Sequence, residues 1–275
     1  MVQGPSCRCR SVAGLIGLQA ADIEVQDALG STRWAYDGWV PHPVVRLTTS
    51  MPVAVAAPEG RTVVKARWGF PVGPRPVGNA RDDKLRASPL WSGMLQDGRA
   101  LAVATGVYEM ADVGGRRQAL WFRRIDGRPI VMPALVADRG IKGGQRLCAA
   151  IVTTQPNAFF GRFHDRQVCE LDALQATAWL HAASVEDALA LLAAPPEEAW
   201  EAVPVDGRIF RPGRVEAEHL VQVAPALRPD GAPPAPRDAW GTAAGTRVPV
   251  AQPAPGEPVP ARKGQGGRQL TLGDM

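Results

Sequence analysis

The feature that most limits what this chain can fold into is a succession of short apolar runs between residues 61 and 154. The stretches RTVVKARWGF (61–70), RALAVATGVYEM (99–110), ALWFRRIDG (119–127), PIVMPALVAD (129–138) and LCAAIVTT (147–154) are rich in Val, Ile, Trp and Phe, and Gly, Asp and Pro separate them. Residues of these types suit a pleated, half-buried surface, so the runs read as strands in a largely antiparallel arrangement. Asp126-Gly127, between two of the runs, is a hairpin signal. Helical patterns are fewer and lie mostly later. DDKLRASPLWSGML (82–95) has a polar start, and LDALQATAWLHAA (171–183) and SVEDALALLAA (184–194) are stronger. Ser184 suits an N-cap, and Val185, Ala188, Leu189 and Leu192 share one helical face before Pro195 ends the run. Strands first and helices later predict an α+β fold with a mainly antiparallel β core flanked by short helices.

The composition changes near residue 225. Residues 226–275 hold nine Pro and eight Gly, 17 of 50, with no repeat. That exceeds the roughly 25–30% at which aperiodic Pro and Gly indicate disorder, because such a segment cannot bury enough apolar surface to offset its ordering entropy. The expected organisation is a short N-terminal extension (1–6), one domain (7–225) and a flexible tail (226–275).

Three function classes lose support from composition. The net charge of +4 permits a polyanionic partner without demanding one. The four cysteines, Cys7, Cys9, Cys148 and Cys169, are too few for a disulfide scaffold and point to a reducing compartment. Cys7-x-Cys9 has no second Cys/His pair at metal spacing, so neither a metal nor another cofactor is expected. No run reaches the roughly 20 apolar residues of a membrane span, and MVQGPSCRCRS lacks the apolar core of a signal peptide. A cytoplasmic, monomeric protein without membrane contact is the expectation.

Four stretches carry chemistry-bearing residues. VGNARDDK puts Asn79 and Arg81 in a loop between a strand and a helix, where an Asn is commonly a turn former. ATGVYEMAD puts Glu109 at the end of an apolar strand. Burial there would raise its pKa toward use as an acid or base, whereas a solvated strand end would leave it ordinary. TTQPNAFFGRFHDRQV puts His164, flanked by Arg162 and Arg166, in an irregular stretch before a helix, where either a surface histidine or a functional loop residue fits. SCRCRS lies near the start.

Taken in order, these stretches resemble the SRAP family, the SOS response-associated peptidases or abasic-site processing proteins. The family pattern is an N-terminal Met-Cys-Gly-Arg, a Trp-Gly with a nearby Pro, Asn-Ala-Arg-x-Glu-Thr, Gly-aromatic-aromatic-Glu-Trp, and His-x-Arg-Met-Pro before a helix with a Trp. This chain offers Trp68-Gly69-Phe70-Pro71, Asn79-Ala80-Arg81-Asp82-Asp83-Lys84, Gly106-Val107-Tyr108-Glu109-Met110, His164-Asp165-Arg166, and Trp179-Leu180. The likeness covers roughly residues 7–225. The chain departs from the pattern at Met110, at Asp83-Lys84 and at Gln167-Val168, and no Cys follows Met1.

The resemblance implies a curved, SRAP-like β core and covalent capture of abasic sites in single-stranded DNA by an N-terminal cysteine. The ring-opened sugar is an aldehyde. An aminothiol condenses with it to an imine, and the thiol then closes a thiazolidine. An α-amine with a pKa of about 7.7–8.0 supplies free base at neutral pH, whereas a cysteine inside the chain has only an amide nitrogen. Cys7 is therefore the candidate nucleophile, after autoproteolytic release of Met1–Ser6, with Cys9 as the fallback. By the same resemblance Asn79 would orient the amine, Glu109 would shuttle protons and His164 would protonate the sugar ring oxygen. Arg81, Arg162 and Arg166 would bind phosphates, and Trp68 would either pack in the core or stack on a base, the core role being the better fit. The alternatives are a non-catalytic single-stranded DNA-binding member and a cysteine peptidase acting on other proteins. In the tail, Gln269-Leu270-x-Leu272 resembles the short peptides that dock on bacterial sliding clamps, which would place the protein at the nucleoid.

Overall fold

The computed structural model of this chain describes residues 14–231, apart from 32, 140–146, 214 and 216. Cys7, Cys9, the first six residues, and Gln269, Leu270 and Leu272 lie outside the described residues. Within them the strands are β1 (Leu15–Leu18), β2 (Arg33–Trp34), β3 (His42–Arg46), β4 (Ser50–Ala57), β5 (Gly60–Trp68), β6 (Asn79–Arg81), β7 (Arg99–Ala104), β8 (Gly106–Val113), β9 (Arg116–Arg124), β10 (Ile130–Asp138), β11 (Leu147–Thr154), β12 (Gln167–Val168) and β13 (Trp200–Val205). The helices are α1 (Asp22–Leu29), α2 (Ser92–Asp97), α3 (Ala173–His181) and α4 (Val185–Ala190), with several 3-10 turns.

The strands form two sheets. One runs β13-β9-β8-β1-β3, and the other runs β12-β11-β10-β7-β4-β5-β2. In the second, β5 returns to β11, pairing Arg67 with Cys148 and Trp68 with Ala149, so β11-β10-β7-β4-β5 closes on itself as a barrel. Closure leaves these strands without free edges. Most ladders are antiparallel; among the described residues the parallel ones are β2–β5, β5–β11 and β6–β11. Strands β4 and β7 are almost continuously buried, as expected where both faces are covered. The main core contains Val53, Leu101, Leu135, Ile151 and Trp179, all without solvent exposure.

The expected α+β class and mainly antiparallel core are what the chain forms. Several local expectations are not met. RALAVATGVYEM is two strands, β7 and β8, in different sheets; the break falls at Thr105, whose amide bonds Gly17 O at 2.7 Å. Asp126-Gly127 turns the chain from one sheet to the other, because β9 pairs with β8 and β13 whereas β10 pairs with β7 and β11. The β8–β9 hairpin turns at Gly114-Gly115, with φ of 59° and 79°. Two consecutive positive φ values are the requirement of a two-residue turn matched to strand twist. DDKLRASPLWSGML is a 3-10 turn at Asp82–Lys84 and then α2, with Pro89 between them. Proline lacks the amide donor and restricts the residue before it, which separates the two.

The later helices form, and Ser184 caps α4 as expected, but α4 ends at Ala190, short of Leu192 and Pro195. Asp172 accepts the Gln175 amide at 2.8 Å and Ser184 accepts that of Asp187 at 3.0 Å. The packed chain runs past residue 225. Ala226 is buried, Leu227 exchanges backbone hydrogen bonds with Ala202, and Arg228 reaches Glu201.

Candidate active site

Strand β11 organises the site. Its Ile151–Thr153 segment pairs with β6 in parallel, and Thr153–Thr154 pairs with β12. Residues 79–81 and 167–168, far apart in sequence, therefore meet at one end of the barrel. Along β6 the side chains alternate. Ala80 is wholly buried, which sends Asn79 and Arg81 to the opposite face.

Trp68 supports this strand from beneath. Its indole is fully buried and its Nε1–H donates to Gly78 O at 2.8 Å, one residue before Asn79. A ring without solvent exposure cannot stack on a base, so of the two roles open to Trp68 the structure shows the core one, with the ring holding β6.

The stretch from Pro156 to Arg166 is irregular but fastened at many points. Asn157 accepts the Phe160 amide through Oδ1 at 2.8 Å and donates to Pro195 O at 2.9 Å. Glu197 accepts the Phe159 amide at 2.9 Å, and the buried Gln167 accepts that of Asn157 at 3.0 Å. Phe159 and Phe160 are buried, and Phe160 lies 4.2 Å from the Phe122 ring of β9. His164 closes this loop with a side chain 11% exposed. Its Nδ1 accepts the Arg166 amide N–H at 3.0 Å, and an Asp165 carboxylate oxygen lies 3.1 Å away. Nδ1 also lies 3.2 Å from Arg166 O, so whether it donates or accepts depends on the ring's tautomer.

Glu109 comes from the other sheet. Val107 pairs with Phe122 and Glu109 with Leu120, so these four side chains share one face of the β8–β9 ladder. That face meets Phe160 and Phe163 through Phe122, whereas Tyr108 and Trp121 point to a separate cluster. Glu109 is 6% exposed and lies on the side of the His164 loop.

A network that the sequence did not signal joins the two segments. Asp82 accepts from Arg166 Nη2 at 2.6 Å, from Thr154 Oγ1 at 2.6 Å and from the Asp83 amide at 2.7 Å. Arg166 Nη2 also reaches Thr153 O. The Arg166 side chain is only 6% exposed and turns inward, which corrects its expected role as an open phosphate contact. Arg81 points outward and is 43% exposed, with Nε and Nη2 on the two oxygens of Asp83 at 3.0 and 2.9 Å. The Arg81 guanidinium holds the Asp83 carboxyl below the usual carboxylate range. Arg162 is exposed, with its guanidinium over the rings of Phe159 and Phe163. Asp82, Thr154, Asn157 and Gln167 are site-building residues that sequence reasoning missed, and the departures from the family pattern at Asp83-Lys84 and Gln167-Val168 were the hints.

Neither described cysteine is placed to act as a nucleophile. Cys148 and Cys169 are fully buried, and burial pushes both thiols up, with Asp82 adding to the shift at Cys169. Among the described residues no cluster of three or more His, Cys, Asp or Glu could hold a metal, and no helix is long and apolar enough to cross a membrane.

The architecture has known counterparts. A protein from Bacteroides thetaiotaomicron superposes with a TM-score of 0.61 at 17% identity, over 71% of this chain and 93% of that one. A phage-related protein from Bordetella bronchiseptica gives 0.57 at 22% identity, over 72% and 98%. Both likenesses are of fold. The chain is also 29% identical over 116 residues to the abasic site processing protein YedK of Escherichia coli K12, covering 41% of this chain and 52% of that protein. It thus spans about half the length of that curated relative. The sequence model of the SOS response associated peptidase family matches residues 16–212, which include β6, β8 and the His164 loop. With the match running through every element of the site, the chain belongs to the SOS response associated peptidase (SRAP) family.

Proposed function

We propose that this protein binds single-stranded DNA and captures abasic sites covalently through an N-terminal Cys7 exposed by loss of residues 1–6. The observation that carries the reading is the convergence of β6, bearing Asn79, with the His164 loop, beside the face of β8 that bears Glu109. The family membership and the likeness to a protein named for abasic-site processing support it.

In this reading His164, in its protonated form, donates a proton to the ring oxygen of the abasic sugar while the anomeric hydroxyl gives its proton to water, and the ring opens to the aldehyde. The Cys7 amine, oriented by Asn79, adds to the aldehyde carbon. Glu109 carries the proton to the departing hydroxyl, water leaves, and the imine forms. The Cys7 thiol then adds across the C=N bond, giving a thiazolidine whose ring nitrogen takes the thiol proton. Freeing Cys7 requires hydrolysis of the Ser6–Cys7 peptide bond, with water supplying both new termini. Arg81 and Arg162, which face solvent, contact phosphates.

The test is an oligonucleotide with one abasic site, followed on denaturing gels, together with the intact mass of the purified protein. We expect a mass beginning at Cys7 and a crosslink that resists denaturation. His164→Ala and Glu109→Gln should slow crosslinking by about 10²–10⁴-fold while leaving DNA binding in place. A protein that retains Met1–Ser6 and still crosslinks would refute the Cys7 mechanism. Unchanged rates in both variants would remove His164 and Glu109 from the chemistry.

A further inference from the structure

We propose that Asp83 sets the DNA affinity of this site by occupying Arg81, so that a nucleic-acid phosphate binds there only by displacing a carboxylate. The inference rests on the reading of the site as one for single-stranded DNA. Arg81 grips both oxygens of Asp83 through Nε and Nη2, at 3.0 and 2.9 Å. This is the bidentate geometry a guanidinium also uses on phosphate, so the two anions compete for the same donors. Lys84 Nζ lies 4.0 Å from the same carboxylate and Arg166 Nη1 lies 3.8 Å from it. Asp83 is thus the counterion of the exposed Arg81, with Lys84 and the buried Arg166 within ion-pair distance.

The two neighbouring aspartates differ in whether they can let go. Asp82 is tied to an arginine only 6% exposed and also accepts from Thr154, so releasing it would strand a buried charge. Asp83 and Arg81 are 39% and 43% exposed. An exposed pair of this kind shifts an equilibrium by at most about fivefold, so a phosphate can replace it. Displacement leaves the Asp83 carboxylate beside the DNA, holding a counterion that would otherwise be released. Arg81 then contributes little to the salt dependence of binding, although it touches the strand.

The experiment is fluorescence anisotropy with a labelled single-stranded oligonucleotide free of abasic sites, titrated in KCl from about 50 to 200 mM, the span over which phosphate contacts show their salt dependence. Asp83→Asn should bind about two- to fivefold tighter than wild type at the low-salt end. Its plot of log affinity against log salt should be steeper by about 0.7, the increment for one phosphate contact on a single strand. Asp83→Glu should behave as wild type. Glu59→Gln, which removes an exposed carboxylate at the β4–β5 turn, should also leave affinity and slope unchanged. The gain should vanish in the Arg81→Ala, Asp83→Asn double variant. Equal affinity and slope for wild type and Asp83→Asn would overturn the mask while leaving the DNA reading intact. The same gain from Glu59→Gln, or a gain that survives loss of Arg81, would reduce it to net charge and overturn it too. No binding by wild type or any variant would overturn the DNA reading, and this inference with it.

Discussion

Removing Asp82 should destabilise the protein more than removing the arginine it holds. Arg166 has a side chain 6% exposed, and its Nη2 meets Asp82 at 2.6 Å and Thr153 O. Its Nε and Nη1 have no hydrogen-bond partner among the described residues. Asp82 is thus the main group compensating a buried cation. Asp82→Ala leaves that cation in place, and breaking a buried pair from one side costs about 3–5 kcal/mol. The Asp82 side chain is 20% exposed, so water can enter and the low end applies, about 3 kcal/mol. For a domain of this size each kcal/mol lowers Tm by about 2–4 °C, which gives a fall of about 6–12 °C. Arg166→Met removes the buried charge itself. Asp82 then keeps the Thr154 hydroxyl and the Asp83 amide, so the expected cost is only about 1–2 kcal/mol. The double variant should melt above Asp82→Ala, because no unpaired charge remains. Circular dichroism melts and urea titrations of the three variants provide the assay. An Asp82→Ala protein that melts with wild type, or an Arg166→Met protein less stable than Asp82→Ala, would refute the assignment of Asp82 as the compensating group.

Two further outcomes follow from buried and paired groups elsewhere. Cys148 and Cys169 should resist thiol reagents in the native protein at pH 8 and react promptly in urea, because burial raises both thiol pKa values; peptide mapping that finds Cys169 labelled at the same rate in both conditions would contradict its burial. Hydrogen bonding to Arg124 holds the Asp126 carboxyl well below its unfolded value, so its stabilisation is present above about pH 4 and is lost as pH falls through the folded pKa. Asp126→Asn should therefore flatten the decline in urea midpoint between pH 5 and pH 2, and an equally steep decline would show that Asp126 does not contribute.

The sequence carried the information that is local. Strand composition and the Ser184 cap act over a few residues, and the structure forms β5, β9, β10, β11, α3 and α4 where those signals lie. The candidate site residues came from an ordered set of short motifs, and Asn79, Glu109 and His164 all fall within residues 16–212, which the family model matches. Side-chain environment was not legible. Arg166 sits in a motif that reads as a DNA contact yet faces inward, and the motif of Trp68 left both a core place and a stacking role open until the fold buried the ring. Burial depends on which strands come to lie above and below, and motif spacing does not encode that.

What the tertiary structure alone decided is partnership between distant segments. No local rule distinguishes a turn that closes a hairpin from one that crosses between sheets, so Asp126-Gly127 reads alike in both cases until β9 and β10 acquire different neighbours. Nor does any local rule join Asp82 to Arg166 across 84 residues of sequence. That contact exists because β11 accepts β6 and β12 at its end, bringing a carboxylate and a guanidinium within hydrogen-bond distance in a place that excludes most water. The sequence determined which residues could do chemistry here; the pairing of β11 determined that Arg81 faces solvent and Arg166 does not, because only the closed barrel fixes which side of each short strand is covered.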